Sequence, residues 1–208
     1  PHPRAKNLSL WQVRTLNRAL AEVGAPANLI VTVAEPSIEN TNKMMAHPKV
    51  RMLVATGGPG IVKTVLSSGK KAIGAGAGNP PVVVDTTADI DLAAKSIVDG
   101  ASFDNNLPCT AEKECLAVDD IVDLLKFKMV ENGAYEILEQ AKQLADIVVN
   151  HDKHAAQTAW VGKPATVLLE QIGIQAPAGT RLIIAEVPFE HCFVQTELMM
   201  PILGVVRV

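Results

Sequence analysis

Residues 50–78 read VRMLVATGGPGIVKTVLSSGKKAIGAGAG, and the placing of the glycines in that stretch decides the fold. VRMLVAT is the length of a strand buried on both faces, and Gly57, Gly58 and Gly60 close it. IVKTVLSSGK predicts a helix, and KAIGAGAG a second short strand running into glycine. Strand, helix and strand in succession mean a right-handed crossover and a parallel sheet. The predicted class is α/β, Rossmann-like in style.

The same grammar extends in both directions. Upstream, Leu10, Val13, Leu16, Leu20 and Val23 recur at helical spacing, with Ser9 as the expected start and Gly24 as the stop. NLIVTVAE predicts a buried strand, and a helix follows from Ile38 to Ala46. Downstream, Val82, Val83 and Val84 predict a strand, and Thr87 is read as capping a helix from Ala88 to about Asp99. CLAVDD reads as a strand, and Asp120 to Asn150 as mostly helix interrupted near Asn132-Gly133. KPATVLLEQIG reads as a helix ending at Gly173, and TRLIIAEV and PILGVVRV as strands. Pro80-Pro81 after the glycines marks a candidate domain boundary.

Composition bounds the function classes. A chain of 208 residues with 48% hydrophobic and 20% charged residues is ordinary globular material. Its net charge of −3 comes without a basic run, so the clustered Lys and Arg of a nucleic-acid binder are missing. No apolar stretch has the length of a membrane span, and no secretory leader is visible. Cys109, Cys115 and Cys192 form no CxxC pair, which favours a reducing compartment over a disulfide framework and gives no support to a thiolate zinc site. The chain starts without Met and stops on a strand-like run, so it reads as a piece of something longer.

Several residues invite chemistry. Gly58-Pro59-Gly60-Ile61-Val62-Lys63 begins like a dinucleotide turn but ends on Lys, and a phosphate-binding loop would need Gly where Val62 stands; a plain strand-to-helix connection is an equal reading. Gly74 to Asn79 removes side chains where something comes close, or forms a hinge. Cys115 and Cys192 read as buried small hydrophobes, and His151 and His154 as solvated surface. His191, beside Glu190, is ambiguous between a structural and a catalytic histidine, and a loop histidine is more often structural. Cys109 differs: FDNNLPC sets it in a polar, non-periodic segment between helix and strand, where amides can support an oxyanion.

FDNNLPCTAEKE, ATGGPGIVK, GAGAGNPPVVVDTTADI and ELMMP, in this order, resemble the CoA-acylating aldehyde dehydrogenases of the propionaldehyde and acetaldehyde type, within the aldehyde dehydrogenase superfamily. The resemblance covers essentially the whole chain and places it in the middle of a subunit about twice as long. It implies a partial NAD-binding domain over residues 1–75 and a catalytic domain over 76–208, incomplete at its C-terminus. It also implies a site. Cys109 is the thiol nucleophile, and the cofactor-binding residues are Thr56, Gly57, Gly58, Gly76, Glu197, His2 and Arg4, with no metal. Asn105 and Asn106 shape the loop rather than hold the oxyanion, and Met199 stands where relatives carry an aromatic.

The implied reaction oxidises a short-chain aldehyde with NAD and passes the acyl group to coenzyme A. Hydrolytic relatives carry a glutamate at the strand end equivalent to Gly74–Asn79, and here only small residues and Asn stand there, so water has no general base. Implied partners are a small aldehyde, further copies of the full-length subunit, and, as an open possibility, a microcompartment shell; neither nucleic acid nor membrane is implied. The implied location is the cytoplasm, inside or outside a bacterial microcompartment. Two alternatives stay open: a cysteine-dependent acyl-phosphate reductase, and a catalytically silent fragment of such an enzyme.

Overall fold

The computed structural model describes residues 3–76 and 78–208, and these form two compact units that part after Gly76. In the first, a short 3-10 turn, Pro3–Ala5, leads into α1, Lys6–Glu22. The helix starts one turn earlier than the Ser9 reading, and no side chain caps it. Its end is as expected: Gly24 takes φ +78°, and Ala25 N–H donates back to the Leu20 carbonyl at 3.0 Å. Leu8, Trp11 and Leu16 of its apolar stripe are exposed, and no residue of α1 is buried.

The expected strand NLIVTVAE does not form. A strand needs a neighbour with which to share its N–H and C=O groups, and no described segment pairs with it. Instead the Asn17 side chain serves both polar groups of Ile30, donating to its carbonyl at 2.7 Å and accepting from its N–H at 3.3 Å. Ser37 then caps α2, Ile38–Ala46, by accepting from Asn40 N–H at 3.0 Å.

The opening stretch folds as β1, Met52–Thr56; α3, Pro59–Leu66; and β2, Lys71–Ala75, with β1 and β2 parallel from Met52↔Lys71 to Thr56↔Ala75. A small core of Met45, Leu53 and Val65 holds it. Gly74 lets α3 lie close over β2, because a β-carbon there would stand 2.8 Å from Val62 Cγ1.

The second unit runs β3, Pro81–Val84; α4, Ile90–Ser102; β4, Glu114–Ala117; α5, Asp119–Glu131; β5, Ala134–Glu136; and α6, Ala141–Val148. A small antiparallel pair follows, β6, Val149–Asn150, and β7, Ala155–Ala156. Then come α7, Ala165–Glu170; β8, Leu182–Glu186; α8, Cys192–Gln195; and β9, Ile202–Arg207. The sheet order is β3-β4-β9-β8-β5, and every pairing is parallel.

Alternation along β8 and β9 assigns the two faces. Leu182, Ile184, Leu203 and Val205 pack with Ile97, Val98, Val122 and Leu125 of α4 and α5. Ile183, Ala185, Ile202 and Val206 pack with Leu144, Val148, Leu168 and Leu169 of α6 and α7. Two covered faces explain why these strands read as unbroken apolar runs.

Three details of the reading are corrected. Asp89, not Thr87, caps α4, accepting from Leu92 N–H at 3.0 Å; the N–H and hydroxyl of Thr87 instead donate to the Asp85 carboxylate at 2.9 and 2.6 Å. The 120–150 region contains a strand: Gly133 at φ +99° ends the helical run, and Ala134–Glu136 extend along β8. The short α8 was not foreseen; His191 caps it, with Nδ1 accepting from Phe193 N–H at 3.2 Å.

Candidate active site

Between α4 and β4 the chain makes a turn that brings Cys109 to the surface. Asp104, Asn105 and Asn106 take φ +47°, +51° and +61° in succession, the left-handed region that side chains avoid at about 1–2 kcal/mol per residue. Asparagine and aspartate are the non-glycine residues that best tolerate it, which gives DNN a physical reason. The interactions that offset the strain converge on Asn106, only 1% exposed. Its amide donates to the Ala101 carbonyl at 2.7 Å and the Glu112 carbonyl at 2.9 Å, while its Oδ1 accepts from Lys113. The Lys113 ammonium also donates to the carbonyls of Asn106 at 2.8 Å and Pro108 at 3.1 Å.

A second strained segment buttresses the turn. Asn105 donates to the Gly162 carbonyl at 3.0 Å, and Gly162 N–H donates to the carbonyl of Met199 at 2.9 Å, itself at φ +54°. Leu107 closes over Gly162, where a β-carbon would meet Leu107 Cδ1 at 3.2 Å. Gly78 faces Cys109 from the other side: a β-carbon there would lie 3.6 Å from the Cys109 carbonyl oxygen. The position beside the Cys109 carbonyl therefore carries no side chain.

The electrostatics follow from burial. Burial lowers the pKa of Lys113, opposed by the negative charges of Glu197, Cys109, Glu112 and Glu114. Burial pushes Glu114 up to about 7 against the pull of Lys113, and its Oε2 is among the buried atoms without a hydrogen-bond partner. Cys115, fully enclosed in β4, is pushed up to about 12, and burial also raises half-buried Cys192. Neither suits a nucleophile, which must ionise near neutrality. His191 has a structural role as the cap of α8, and His151 pairs with Asp146 at 3.3 Å on the surface.

In the first unit, Thr56, Gly57 and Gly58 lie exposed where β1 turns into α3, and Gly57 N–H is pinned to the Ala75 carbonyl at 3.1 Å. Gly58 caps α3 without a side chain, so the first-turn N–H groups face outward. Beside this turn is a cleft of about 470 Å³ whose walls include Pro36, Ser37, Ile38, Thr41, Ile61 and Thr64. Apolar walls next to a bare helix N-terminus fit an adenine nucleotide with its phosphates.

Of the residues expected at the site, Thr56, Gly57, Gly58 and Gly76 fall in the first unit with Arg4, which is exposed in the 3-10 turn. Glu197 belongs to the second unit, where its charge acts on Lys113. His2 lies outside the described residues. The sequence reading named Gly78 within the Gly74–Asn79 run without linking it to Cys109, and it missed Lys113 and Gly162 as parts of the turn and Pro36, Thr41 and Thr64 as walls of the cleft. One signal was available for Lys113: it stands two residues ahead of the apolar run Cys115–Val118, where a strand enters the sheet.

The second unit thus carries an exposed cysteine on a braced turn at the entry to an inner strand of a parallel sheet, and the first unit carries an open cleft beside a helix N-terminus. The chain belongs to the aldehyde dehydrogenase family, whose sequence pattern matches residues 7–208. Acetaldehyde dehydrogenase (acetylating) EutE of Escherichia coli is 45% identical over 100% of this chain and 46% of its own length. The Rhodopseudomonas palustris propionaldehyde dehydrogenase, solved with bound CoA and an acylated cysteine, is 64% identical with a TM-score of 0.92, covering 100% of this chain and 48% of that one. A propionaldehyde dehydrogenase from the fucose utilisation microcompartment of Clostridium phytofermentans is 47% identical, with a TM-score of 0.93 over 100% of this chain and 48% of that one. The chain spans about half the length of the curated relatives it matches.

Proposed function

We propose that the protein oxidises a short aliphatic aldehyde to its acyl-CoA with NAD, through a thioester on Cys109. The observation that carries this is the exposed Cys109 on a turn whose strain is offset by buried hydrogen bonds, in a chain 64% identical to an enzyme solved with an acylated cysteine. Cys109 Sγ adds to the aldehyde carbon and holds it first as a thiohemiacetal and, once oxidised, as a thioester; the thiol of coenzyme A then displaces Sγ. The backbone N–H groups of the turn lie next to the oxygen that gains charge. NAD, when bound, supplies the hydride acceptor.

Thr56, Gly57, Gly58 and the cleft between α2 and α3 hold the nucleotide, with Gly76, Arg4, His2 and Glu197 as further cofactor contacts. Small residues from Gly74 to Gly78, where hydrolytic relatives carry a glutamate, support transfer to a thiol over hydrolysis: that strand end offers no carboxylate to activate water, and Gly78 sets no side chain against the Cys109 carbonyl. The two domains divide the labour as residues 1–75 for the cofactor and 76–208 for catalysis. Full-length subunits associate as a homo-oligomer in the cytoplasm, and the C. phytofermentans relative supports enclosure in a microcompartment.

The test is NADH formation by the full-length protein from propanal or acetaldehyde. Formation that depends on coenzyme A, with acyl-CoA as product and no requirement for phosphate, is expected. Equal rates without coenzyme A, yielding free acid, would overturn the reading, and a requirement for phosphate would assign the acyl-phosphate chemistry instead.

A further inference from the structure

Lys113 is 3% exposed, yet it immediately precedes β4 and its head group points back under the Cys109 turn. Its three acceptors are the Asn106 carbonyl, the Asn106 side-chain oxygen and the Pro108 carbonyl. An ammonium has three protons and a neutral amine only two to give, so the cage fits the charged form. Every one of those acceptors is neutral, and no described carboxylate forms an ion pair with this nitrogen. Holding a buried cation with neutral acceptors and no direct ion pair is costly, so negative charge forming nearby stabilises it. The charged groups that act on it are Glu197, Cys109, Glu112 and Glu114. Of these, Cys109 is bonded directly to the residue whose carbonyl Lys113 holds, and it alone must become an anion to react.

We propose that Lys113 is the positioning residue of the nucleophile turn: its buried ammonium gathers the Asn106 and Pro108 carbonyls and supplies the positive charge against which the Cys109 thiolate forms. The proposal rests on the assignment of Cys109 as nucleophile. It explains why three successive residues tolerate left-handed backbone. That conformation aims the carbonyls of Asn106 and Pro108 inward at one point, leaving the thiol outside with the cation behind its own peptide. No bond is made or broken at Lys113, and it keeps its protons throughout.

The test follows iodoacetamide alkylation of each cysteine against pH in the full-length protein, by peptide mass spectrometry. In the wild type, Cys109 is expected to react fastest; if it does not, the nucleophile assignment fails before Lys113 is at issue. In Lys113→Met, the pH midpoint for Cys109 is expected to rise by about one unit and its rate near neutral pH to fall about tenfold, with the limiting rate at high pH retained. Lys113→Arg, which keeps the charge, is expected to hold the wild-type midpoint. A soluble Lys113→Met protein with an unchanged midpoint overturns the proposal. If that variant does not fold, Lys113→Gln, which removes the charge and keeps two donor protons, decides: a raised Cys109 midpoint upholds the role of the charge, and an unchanged one overturns it.

Discussion

The Asn105 side chain reaches the Gly162 carbonyl at 3.0 Å, across 57 positions of sequence, and so ties the nucleophile turn to the strand-free segment that follows β7. Gly162 passes the link to Met199, two residues from Glu197. The turn is therefore braced twice, locally through Asn106 and Lys113 and at long range by the segment around Gly162.

Asn106 is the centre of that assembly. Asn106→Leu keeps the branched four-atom skeleton but leaves the Ala101 and Glu112 carbonyls without their donor and Lys113 with one acceptor fewer. A loss of about 3 kcal/mol of folding stability is expected, read from denaturant midpoints, together with slower alkylation of Cys109.

Cys109→Ala removes the acyl-accepting atom at an exposed position. Turnover is expected to vanish while the melting temperature stays within about 2 °C of wild type and NAD binding by calorimetry is unchanged. Among the wild-type thiols, labelling is expected to fall in the order Cys109, Cys192, Cys115, since burial raises the last two and encloses Cys115 completely.

Glu114 makes stability depend on pH in a defined direction. Its folded-state value of about 7 lies above the ordinary 4.5, so the folded protein keeps a proton that the unfolded chain has released. Its contribution therefore worsens as pH rises from about 4.5 to 7 and is level above that. Glu114→Gln is expected to match wild type near the acid end of this window and to be more stable by about 2 kcal/mol above it, as measured by urea unfolding at both ends. A constant difference across the window would refute the assignment.

Two variants probe the first unit. Gly74→Val places a β-carbon 2.8 Å from Val62 Cγ1 and must push α3 off β2, for an expected cost of about 2 kcal/mol in that unit, seen as earlier proteolysis before residue 76. Thr64→Trp fills the cleft from an exposed helix position. NAD affinity is expected to fall at least about tenfold in a titration, with Cys109 alkylation in the absence of NAD unaffected.

How much was legible from sequence depended on whether a signal was local. The run from Val50 to Gly78 carries its own turns and period, so β1, α3 and β2 fall where the sequence puts them. NLIVTVAE has the composition of a strand but no described partner, and composition does not report a partner. Ala134–Glu136 is too short for its period to show between two helices, and Thr87 and Asp89 are equally good caps until Asp85 takes one of them. Cys109 could be singled out by its polar, non-periodic setting, but loops also hold idle cysteines, and its role came from the family resemblance. Lys113 could not be assigned to the turn, because its role depends on backbone carbonyls turned inward by three left-handed residues, and no spacing rule encodes that.

The place of β9 carries one more consequence. Ile202–Arg207 pair with β4 on one side and β8 on the other, so the strand that fills the middle of the sheet is made after both of its neighbours. A growing chain that has reached Met200 has a gap of one strand's width between the two halves of its sheet. Contacts this far apart in sequence form slowly and late. The thiol of Cys109 is thus translated about ninety residues before the sheet behind it can close, and during synthesis it behaves as an ordinary cysteine. Cys109 is expected to gain its reactivity as β9 is added, and alkylation kinetics on stalled nascent chains of increasing length would time the gain.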